Sequence, residues 1–533
     1  MATVTPRRTF PSLLQAPPIR DFGAPDWFER LPRWFSTGAV LAVLLAVSAF
    51  IRARYLGGEL WSDEANTIGI ASHSLGSIPG VLHQGGGAPL YFILLHFWIS
   101  AFGSTEVATH SLSLVFGLLA IPVGMWAGWS LFGRRTGFML AALLAFNSFF
   151  TEYADETRMY ELMALLGLIA IAAFLHAFVY RRRRYVAVFS AALVLMLYTD
   201  AWGIVFCAAA AIALVPVYLR SDDRGGLVRD ALLAFGAAAI LYLPWLPTLI
   251  YQAGHATAPW HYAPVPGANV PRNLLGTDRV DALLAVVAVA GLLPVVFGEA
   301  RRSKEAVAMW ALVAVPVAAF ALARLASLIG PDWISRYFAP VVAALLVFAA
   351  FTAARAGILG LFGLLVSCAF LANSTSFVPQ YKSDMRDVSA EVQRYLRPGD
   401  LVLMGQPEQT PLAWYYMPAG LRYANTFGPD AHPSYMDWDG AETRLRDAAP
   451  AATLTGILNT MRPGQHILYL KPLTEGVKAW NLPWSELVRL RSAQWGQLLA
   501  ADPKLAPVTG VWAPHYYRGS CCVASSAVIY TVR

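Results

Sequence analysis

Long apolar runs recur along the first 375 residues of the chain, and most approach the length that crosses a lipid bilayer. A helix needs about 20 residues, most of them apolar, to span the hydrocarbon core. Twelve candidate runs lie at 35–52, 89–103, 107–132, 136–152, 159–180, 185–201, 203–219, 231–250, 281–298, 305–329, 337–353 and 356–375. The sequence therefore predicts a mainly α-helical, polytopic membrane protein with about eleven to thirteen transmembrane helices.

Charged residues are scarce over the whole chain. They make up 14% of its 533 residues, whereas about 25% is usual in a soluble protein. Hydrophobic residues make up 57%. A soluble protein of this size must cover its surface with polar groups, so the composition excludes a disordered chain and argues against a single soluble enzyme. We expect lipid to cover much of the surface.

Arginine clusters between the apolar runs predict the orientation of the chain. The main clusters are Arg134-Arg135, 181–184 and Arg301-Arg302. Short loops rich in arginine and lysine stay in the cytoplasm. The N-terminal tail, residues 1–34, is therefore expected in the cytoplasm, and the loop 53–88 outside it. The net charge of +7 is spread over these loops rather than gathered on one face, so no nucleic-acid partner is expected.

One apolar run conflicts with this orientation. Two runs, 89–103 and 107–132, separate the outer loop 53–88 from the inner pair Arg134-Arg135, where an odd number of passes is needed. Two explanations stay open. Either the short run 89–103 lies beside the membrane rather than across it, or the boundaries of the runs differ from those given above.

The composition changes after residue 375. Charged residues and turn signals become frequent, and no later run reaches membrane length. The segment 384–397 has the pattern of an amphipathic helix. Strands are predicted at 401–404, 466–470 and 527–532. We therefore predict a transmembrane domain over 35–375 and an extracytoplasmic α/β domain over 376–533.

Two adjacent carboxylates, Asp63 and Glu64, lie in the outer loop that follows the first apolar run. Ionisable groups at a membrane cost free energy, so a cluster of them on one side is a candidate site. The pair suits a general base, or a cation ligand, held at the outer membrane surface. The alternative is structural: Ser62 or Asp63 opens a helix, and Glu64 stabilises its N-terminus.

A second cluster lies on the same predicted side, between two apolar runs. It contains Asp155, Glu156, Arg158 and Tyr160. Arg158 is suited to binding a phosphate group, because its planar guanidinium presents several donors. The alternative is an ion pair within one helix, between Arg158 and Glu161 three residues later.

A third cluster, Arg336 and Tyr337, is also predicted outside. An arginine on the outer face runs against the usual distribution of positive charge, which makes Arg336 a candidate for binding an anion. The alternative is that Arg336 reaches toward lipid headgroups, with Trp333 and Tyr337 anchoring the helix at the membrane surface.

The sequence carries no recognisable metal, redox or nucleotide motif. The four cysteines are Cys207, Cys368, Cys521 and Cys522, and they have neither metal-binding nor redox spacing. No glycine-rich nucleotide motif occurs. A divalent cation stays open as a cofactor, with Asp63 and Asp155 as its candidate ligands.

In their order and spacing, these residues resemble the GT-C type glycosyltransferases. The correspondence runs through Asp63-Glu64-Ala65, Ala88-Pro89-Leu90-Tyr91, 94–98, 102–106, 153–160 and Arg336-Tyr337. It covers most of 35–375 and looks like the family 39 branch, which holds the protein O-mannosyltransferases and lipid A aminoarabinose transferases. The chain departs from that pattern at Gly87-Ala88 and at Asp200, where relatives often carry histidine.

This resemblance implies a GT-C fold and a sugar transfer. The donor would be a polyprenyl-phosphate-linked sugar, with mannose as the default, and the acceptor an envelope glycolipid, glycan or protein. Transfer would occur at the outer face of the bacterial plasma membrane and invert the anomeric centre. By the same resemblance Asp63 would be the general base and Glu64 its support. The substrate-binding residues would be Asp155, Glu156, Arg158, Tyr160, Arg336 and Tyr337.

Two other classes of protein fit parts of the pattern. A transporter or flippase of lipid-linked substrates would use the same acids as an ion or proton relay. Transporters, however, place such groups at mid-membrane, often in two repeated halves of the chain. Here the acids fall at predicted helix ends on one side, and no internal repeat is evident. A scaffold or sensor that binds the cell wall would leave Asp63, Asp155 and Arg158 unexplained.

Overall fold

The computed structural model describes residues 33–255, 274, 278–297, 303–328, 335–372, 382–473, 482–508 and 525–533. Several features named above lie outside these residues. They are most of the N-terminal tail, Arg301-Arg302, Trp333 and Cys521-Cys522.

In the described residues before position 373, the chain is mainly helical. Its helices are Arg33–Ala53, Ser62–Ala71, Ile78–Gly85, Pro89–Phe102, Glu106–Phe132, Arg134–Phe146, Ser148–Glu152, Tyr160–Phe174, Arg184–Leu197, Gly203–Leu219, Arg224–Tyr242, Leu246–His255, Asp278–Phe297, Lys304–Ala326, Ala339–Arg355 and Gly357–Ala372. Among the described residues, five helical segments are long and apolar enough to cross a membrane. They are Glu106–Phe132, Tyr160–Val179, Arg224–His255, Lys304–Ala326 and Arg336–Arg355. The predicted polytopic helical fold is confirmed.

Glycine lets neighbouring helices approach closely in this part. Gly133 joins Glu106–Phe132 to Arg134–Phe146 and has a φ of 100°, a conformation that other residues rarely adopt. A Cβ at Gly128 would lie only 2.9 Å from the Cα of Gly137 on the facing helix. The two helices therefore pack backbone against backbone, as small residues allow in membrane proteins.

The helix Pro89–Phe102 lies along the end of the bundle that carries the acidic loops. Its 14 residues span about 21 Å, less than the roughly 30 Å of the hydrocarbon core. At its start the Leu90 N–H donates to Tyr198 O over 2.8 Å, and just after its end Ser104 O accepts from the Tyr415 hydroxyl over 2.7 Å. A single pass, Glu106–Phe132, then separates the Asp63 loop from Arg134-Arg135, which favours the first explanation above.

The C-terminal part forms a six-stranded sheet in the order β3-β2-β1-β4-β6-β5. The strands are β1 (Leu401–Met404), β2 (Arg422–Asn425), β3 (Gly428–Asp430), β4 (His466–Pro472), β5 (Leu505–Pro507) and β6 (Ser525–Val532). Strand β1 pairs in parallel with β2 and β4, whereas the other pairings are antiparallel. The helices are Met385–Val392, Thr410–Tyr416, Ala441–Asp447, Pro450–Asn459 and Pro483–Ala501. The predicted α/β character is confirmed.

The sheet is buried on both faces. Val402 and Leu468 pack toward Met385–Val392 and Thr410–Tyr416, whereas Leu401 and Ile467 pack toward Pro450–Asn459 and Pro483–Ala501. This division follows from the alternation of side chains along a strand. The prediction of strands at 401–404, 466–470 and 527–532 is confirmed, but the three- and four-residue strands β2, β3 and β5 were not predicted.

The C-terminal sheet with its helices, called the sheet domain from here on, packs directly on the helix that carries Asp63. Ala65 and Ile68 of that helix share one buried cluster with Leu412 and Ala413. At Gly69 a Cβ would lie 1.6 Å from the Ser434 carbonyl oxygen, so no larger residue fits without moving the backbone. The contact between the two parts of the chain is therefore close around the predicted site.

Candidate functional site

Asp63 lies in the first turn of Ser62–Ala71, between the two parts of the chain. Its side chain is 38% exposed. The Oδ2 atom lies 3.8 Å from Arg158 Nη2 and 4.0 Å from Arg336 Nη2. These distances exceed those of direct hydrogen bonds, so the guanidinium groups attract the carboxylate yet keep donors for another ligand. The three predicted clusters thus meet at Asp63.

Glu64, the next residue, is fully buried and held by its neighbours. Its Oε1 accepts from His110 Nε2 over 2.8 Å and from the Thr157 N–H over 2.7 Å. Its Oε2 accepts from the Trp61 N–H over 3.2 Å, which caps the helix. Burial opposes the charge, but Lys382, His110 and the Thr157 N–H outweigh it and lower the pKa of Glu64 to about 2. The structural alternative is thus right for Glu64, which stabilises the helix N-terminus, but wrong for Ser62 and Asp63, because Trp61 is the N-cap residue.

His110 joins Glu64 to the end of the first helix. Its Nδ1 lies 2.7 Å from Leu56 O, and its Nε2 faces the Glu64 carboxylate. The two imidazole nitrogens thus contact a backbone carbonyl and the Glu64 carboxylate. His110 is completely buried, so it fixes the position of Glu64 rather than meeting a substrate.

Lys382 reaches this cluster from the start of the sheet domain. Its Nζ lies 3.3 Å from Glu64 Oε2 and 3.4 Å from Oε1, and it donates to the Asp155 carbonyl. The side chain is 11% exposed. Burial opposes its charge, but Glu64, Asp155 and Glu156 raise the pKa of Lys382. Ser383 Oγ donates to Leu60 O over 2.7 Å, so the same segment also holds the Asp63 loop.

The second predicted cluster lines the same site, but its two acids are more easily protonated than expected. Burial raises the pKa of Asp155 and raises that of Glu156 to about 8. Glu156 Oε2 is buried and accepts no hydrogen bond from the residues described. Ser113 Oγ donates to the Glu156 carbonyl over 2.6 Å and positions the loop.

Two arginines and a tyrosine form the opposite wall. Arg158 Nη1 donates to Thr67 Oγ1 over 3.0 Å. The guanidinium carbons of Arg158 and Arg336 both lie 5.7 Å from the centroid of the Tyr160 ring, and that of Arg336 lies 5.1 Å from the Trp61 ring. These contacts stabilise two like charges side by side.

Two structural alternatives are wrong in this part. Glu161 makes no ion pair with Arg158: it is fully buried, on the side of the helix where Arg52 lies. Arg336 faces Asp63 and Tyr160 rather than lipid headgroups. Its neighbour Tyr337 stacks on Trp202, with centroids 4.9 Å apart, and so anchors the arginine within the protein.

Asp200, one of the departures from the family pattern, lies behind this wall. Its Oδ1 accepts from the Trp202 N–H over 2.8 Å, and burial raises the pKa of its carboxyl. The acid therefore supports the Trp202 turn on which Tyr337 stacks.

Solved structures share this architecture. The chain is similar to ArnT from Cupriavidus metallidurans in the apo state, with a TM-score of 0.59 and 13% identity over 93% of this chain and 98% of ArnT. The same protein bound to undecaprenyl phosphate gives 0.58 and 15% over the same shares. The Archaeoglobus fulgidus oligosaccharyltransferase in the apo form gives 0.54 and 12%, over 92% of this chain and 74% of its own. No protein-family model and no curated protein matches the sequence.

Both of these proteins are GT-C glycosyltransferases. The chain has the GT-C fold. At such low identity the similarity concerns the fold, and the roles of individual residues rest on the geometry described above.

The surroundings of Asp63 do not favour a metal ion in this chain of GT-C fold. The described residues contain no group of three or more His, Cys, Asp or Glu side chains that could hold one. Asp63 faces two guanidinium groups, and Asp155 lies beside Lys382, so both candidate ligands have cationic neighbours. Repulsion from these groups opposes a divalent cation.

Sequence reasoning missed His110, Lys382 and Thr67 in this candidate site. His110 had a usable signal, because it is an ionisable residue inside a membrane-length apolar run. Lys382 and Thr67 had none. Lys382 meets Glu64 across 318 residues of sequence, and only the docking of the sheet domain brings them together.

Proposed function

We propose that the chain is a membrane glycosyltransferase that uses a polyprenyl-phosphate-linked sugar, with mannose as the first candidate. The acceptor would be a component of the cell envelope. The observation that carries the proposal is the half-exposed carboxylate of Asp63 between Arg158 and Arg336 in a chain of GT-C fold. ArnT bound to undecaprenyl phosphate supports a donor of this lipid class.

In the proposed reaction Asp63 is the general base. An acceptor hydroxyl attacks the anomeric carbon of the donor, and its proton passes to the Asp63 carboxylate. The bond between that carbon and the phosphate oxygen breaks, and its electron pair leaves with the polyprenyl phosphate. Attack from the face opposite the phosphate inverts the anomeric centre.

Arg158 and Arg336 are proposed to bind the departing phosphate. A monoester leaving group gains negative charge, and guanidinium donors stabilise that charge in the transition state. Their nitrogen atoms already lie near Asp63 without bonding it directly. Tyr160 contacts both arginines, and Tyr337, next to Arg336 in the chain, stacks on Trp202. Glu64 fixes the turn that presents Asp63.

Glu156 is proposed to meet the substrate in neutral form. Glu156, whose pKa is raised to about 8, then donates a hydrogen bond at neutral pH. Asp155 shares its environment, and Lys382 lies between them and Glu64. This arrangement leaves Asp63 as the base of the site.

Transfer by the purified protein in nanodiscs tests the proposal. With undecaprenyl-phosphate-mannose as donor and octyl α-mannoside as acceptor probe, Asp63→Asn should slow transfer by about 10²- to 10⁴-fold, because the base is lost. The control is Asp447→Asn, which changes an exposed aspartate of the sheet domain. Full activity of the Asp63 variant refutes the base assignment. Movement of the lipid between leaflets without transfer by the wild type would favour a flippase instead.

We also propose a place for the protein: the bacterial plasma membrane, with the tail 1–34 in the cytoplasm and the domain 376–533 outside. The arginine clusters support this orientation. In a cysteine-free background, Ser77→Cys and Arg184→Cys, both at exposed positions, should react with an impermeant maleimide from opposite sides. Labelling from one side only would refute the orientation.

A further inference from the structure

A groove lies on the helix Glu106–Phe132, at the end away from Asp63. His110 contacts Glu64 near one end of this helix, and Ser130 follows 20 residues later, about 30 Å along the helix axis. This distance matches the thickness of the hydrocarbon core, so Ser130 lies at the opposite membrane surface. The groove has a volume of about 370 Å³ and is lined by one stripe of the helix, consisting of Pro122, Met125, Trp126, Trp129 and Ser130.

The groove combines apolar rings with a polar end. Trp126 and Trp129 are 41% and 40% exposed, and tryptophan is enriched where a membrane meets water. Leu119 continues the stripe toward the membrane interior and is also exposed. At the other end, Ser130 Oγ lies 2.9 Å from Nε2 of the buried His176. The groove therefore offers an apolar length and a polar end, which are the two parts of a lipid.

The chain turns sharply beside the polar end of the groove. The segment Leu175–Val179 forms a π-helical turn, a rare conformation that occurs often at functional sites. Arg181 then has a φ of 59°, which is uncommon for a residue with a side chain. Beyond this turn, Arg182 Nη1 donates to His176 Nδ1 over 3.1 Å. One imidazole ring thus separates the Arg182 guanidinium from Ser130.

Two of the four arginines in this turn have no acidic partner among the residues described. Arg181 and Arg183 pair with Asp230, over 3.2 Å and 3.1 Å. Arg182 and Arg184 are exposed and form no ion pair with a carboxylate in the described part of the chain. Their positive charge is therefore available to an anionic ligand.

Aromatic rings connect further guanidinium groups with the groove. The guanidinium carbon of Arg184 lies 5.1 Å from the centroid of the Tyr185 ring, and that ring lies 6.2 Å from the ring of Trp126. The guanidinium carbon of Arg134 lies 5.7 Å from the ring of Trp129. Both exposed tryptophans of the groove thus have cationic groups nearby.

We propose that this groove binds one anionic phospholipid of the leaflet opposite the Asp63 site. The phosphate oxygens of its headgroup would accept hydrogen bonds from Arg182 and Arg184, because a guanidinium presents two parallel donors to such a group. One acyl chain would lie along Trp126 and Leu119. The positive charge favours a lipid whose headgroup has a net negative charge over a zwitterionic lipid. This lipid site does not depend on the proposed sugar transfer.

Lipid binding by the full-length protein in detergent tests this site. Native mass spectrometry would compare dioleoylphosphatidylglycerol, the anionic probe, with dioleoylphosphatidylcholine, the zwitterionic one. We expect phosphatidylglycerol to bind the wild type at least about tenfold more tightly. The double variant Arg182→Gln/Arg184→Gln should lose most of this preference, and Ser130→Leu, which fills the polar end, should weaken phosphatidylglycerol binding. The matched control, Arg220→Gln/Arg224→Gln, removes the same charge from two exposed arginines of the loop after Gly203–Leu219 and should keep the preference.

Four outcomes would overturn the proposal. The first is equal affinity of the wild type for the two lipids, and the second is an unchanged preference in the Arg182/Arg184 variant. An equal loss in the control variant would assign the preference to the general charge of this membrane face. Displacement of phosphatidylglycerol by excess inorganic phosphate would assign the arginines to a soluble anion.

Two further readouts separate lipid binding from structure. The Tm without added lipid and the affinity for undecaprenyl phosphate should stay near wild type in the Arg182/Arg184 variant, because the candidate site lies at the other end of the helix. A fall in both would make these arginines structural and would also overturn the proposal.

Discussion

Removal of the Lys382 charge is the perturbation that most directly tests the geometry of the site. In Lys382→Met the ammonium group between Glu64 and the Asp155 carbonyl is lost, while the apolar length of the side chain is kept. Glu64 stays fully buried and cannot regain water. Its low pKa of about 2 depends first on Lys382 to offset burial. The variant should therefore be less stable and less active.

The magnitude follows from the burial of both partners. Breaking a buried ion pair by removing one partner costs about 3–5 kcal/mol, because the other charge is left unpaired. Three donors still reach Glu64: His110 Nε2, the Thr157 N–H and the Trp61 N–H. We therefore expect a loss near the lower limit, about 3 kcal/mol. Arg394→Met, which breaks a pair exposed by 68% and 51%, should cost under about 1 kcal/mol.

A double-mutant cycle separates this charge effect from general damage. Thermal unfolding of wild type, Lys382→Met, Glu64→Gln and the double variant would be followed by intrinsic fluorescence in nanodiscs. The double variant should lose at least about 1–2 kcal/mol less unfolding free energy than the two single variants lose together, because it contains no unpaired buried charge. Additive losses would refute the reasoning, since they would mean that Lys382 and Glu64 do not interact.

Two further predictions concern acids away from this pair. Because the pKa of Glu156 rises from 4.5 to about 8 on folding, its contribution to stability is complete below pH 4.5 and is lost as the pH rises to about 8. Glu156→Gln should flatten the decline in Tm between pH 5 and 8; an unchanged decline would contradict the assigned pKa. Gly117→Ala should cost about 1–3 kcal/mol in thermal unfolding, because its Cβ would lie 2.9 Å from Glu161 Oε2 and 3.0 Å from Arg52 Nη1. Gly236→Ala has open space and serves as its control, so equal Tm values for the two would refute this packing.

Most of the helical fold could be predicted from the sequence because its signal is local. A membrane-length apolar run is read within one window, and the helix Glu106–Phe132 corresponds closely to the predicted run 107–132. The strands β1 and β4 were found for the same reason. The strand β3 has only three residues and gives no alternation to detect, because its identity depends on pairing with β2.

The candidate site could be predicted in part, because charge is scarce where lipid is the solvent. The sequence predicts Asp63, Arg158 and Arg336 as site residues from three distant loops. The structure places the Asp63 carboxylate within 4.0 Å of both guanidinium groups. Their partners could not be predicted in the same way. Lys382 lies in a polar segment where lysine is ordinary, and only tertiary packing makes it part of the site.

Charge balance around Asp63 connects this geometry to the choice of donor. Lys382 and Glu64 offset one another, and Glu156 is largely neutral below about pH 8. Asp63 faces two guanidinium groups, and these three groups together carry one positive charge. A sugar linked to a lipid through a phosphodiester carries a single negative charge and would neutralise that charge. In the proposed reaction, cleavage would leave a phosphate monoester with additional charge, and the two arginines would favour this change because they are held in place before the reaction begins.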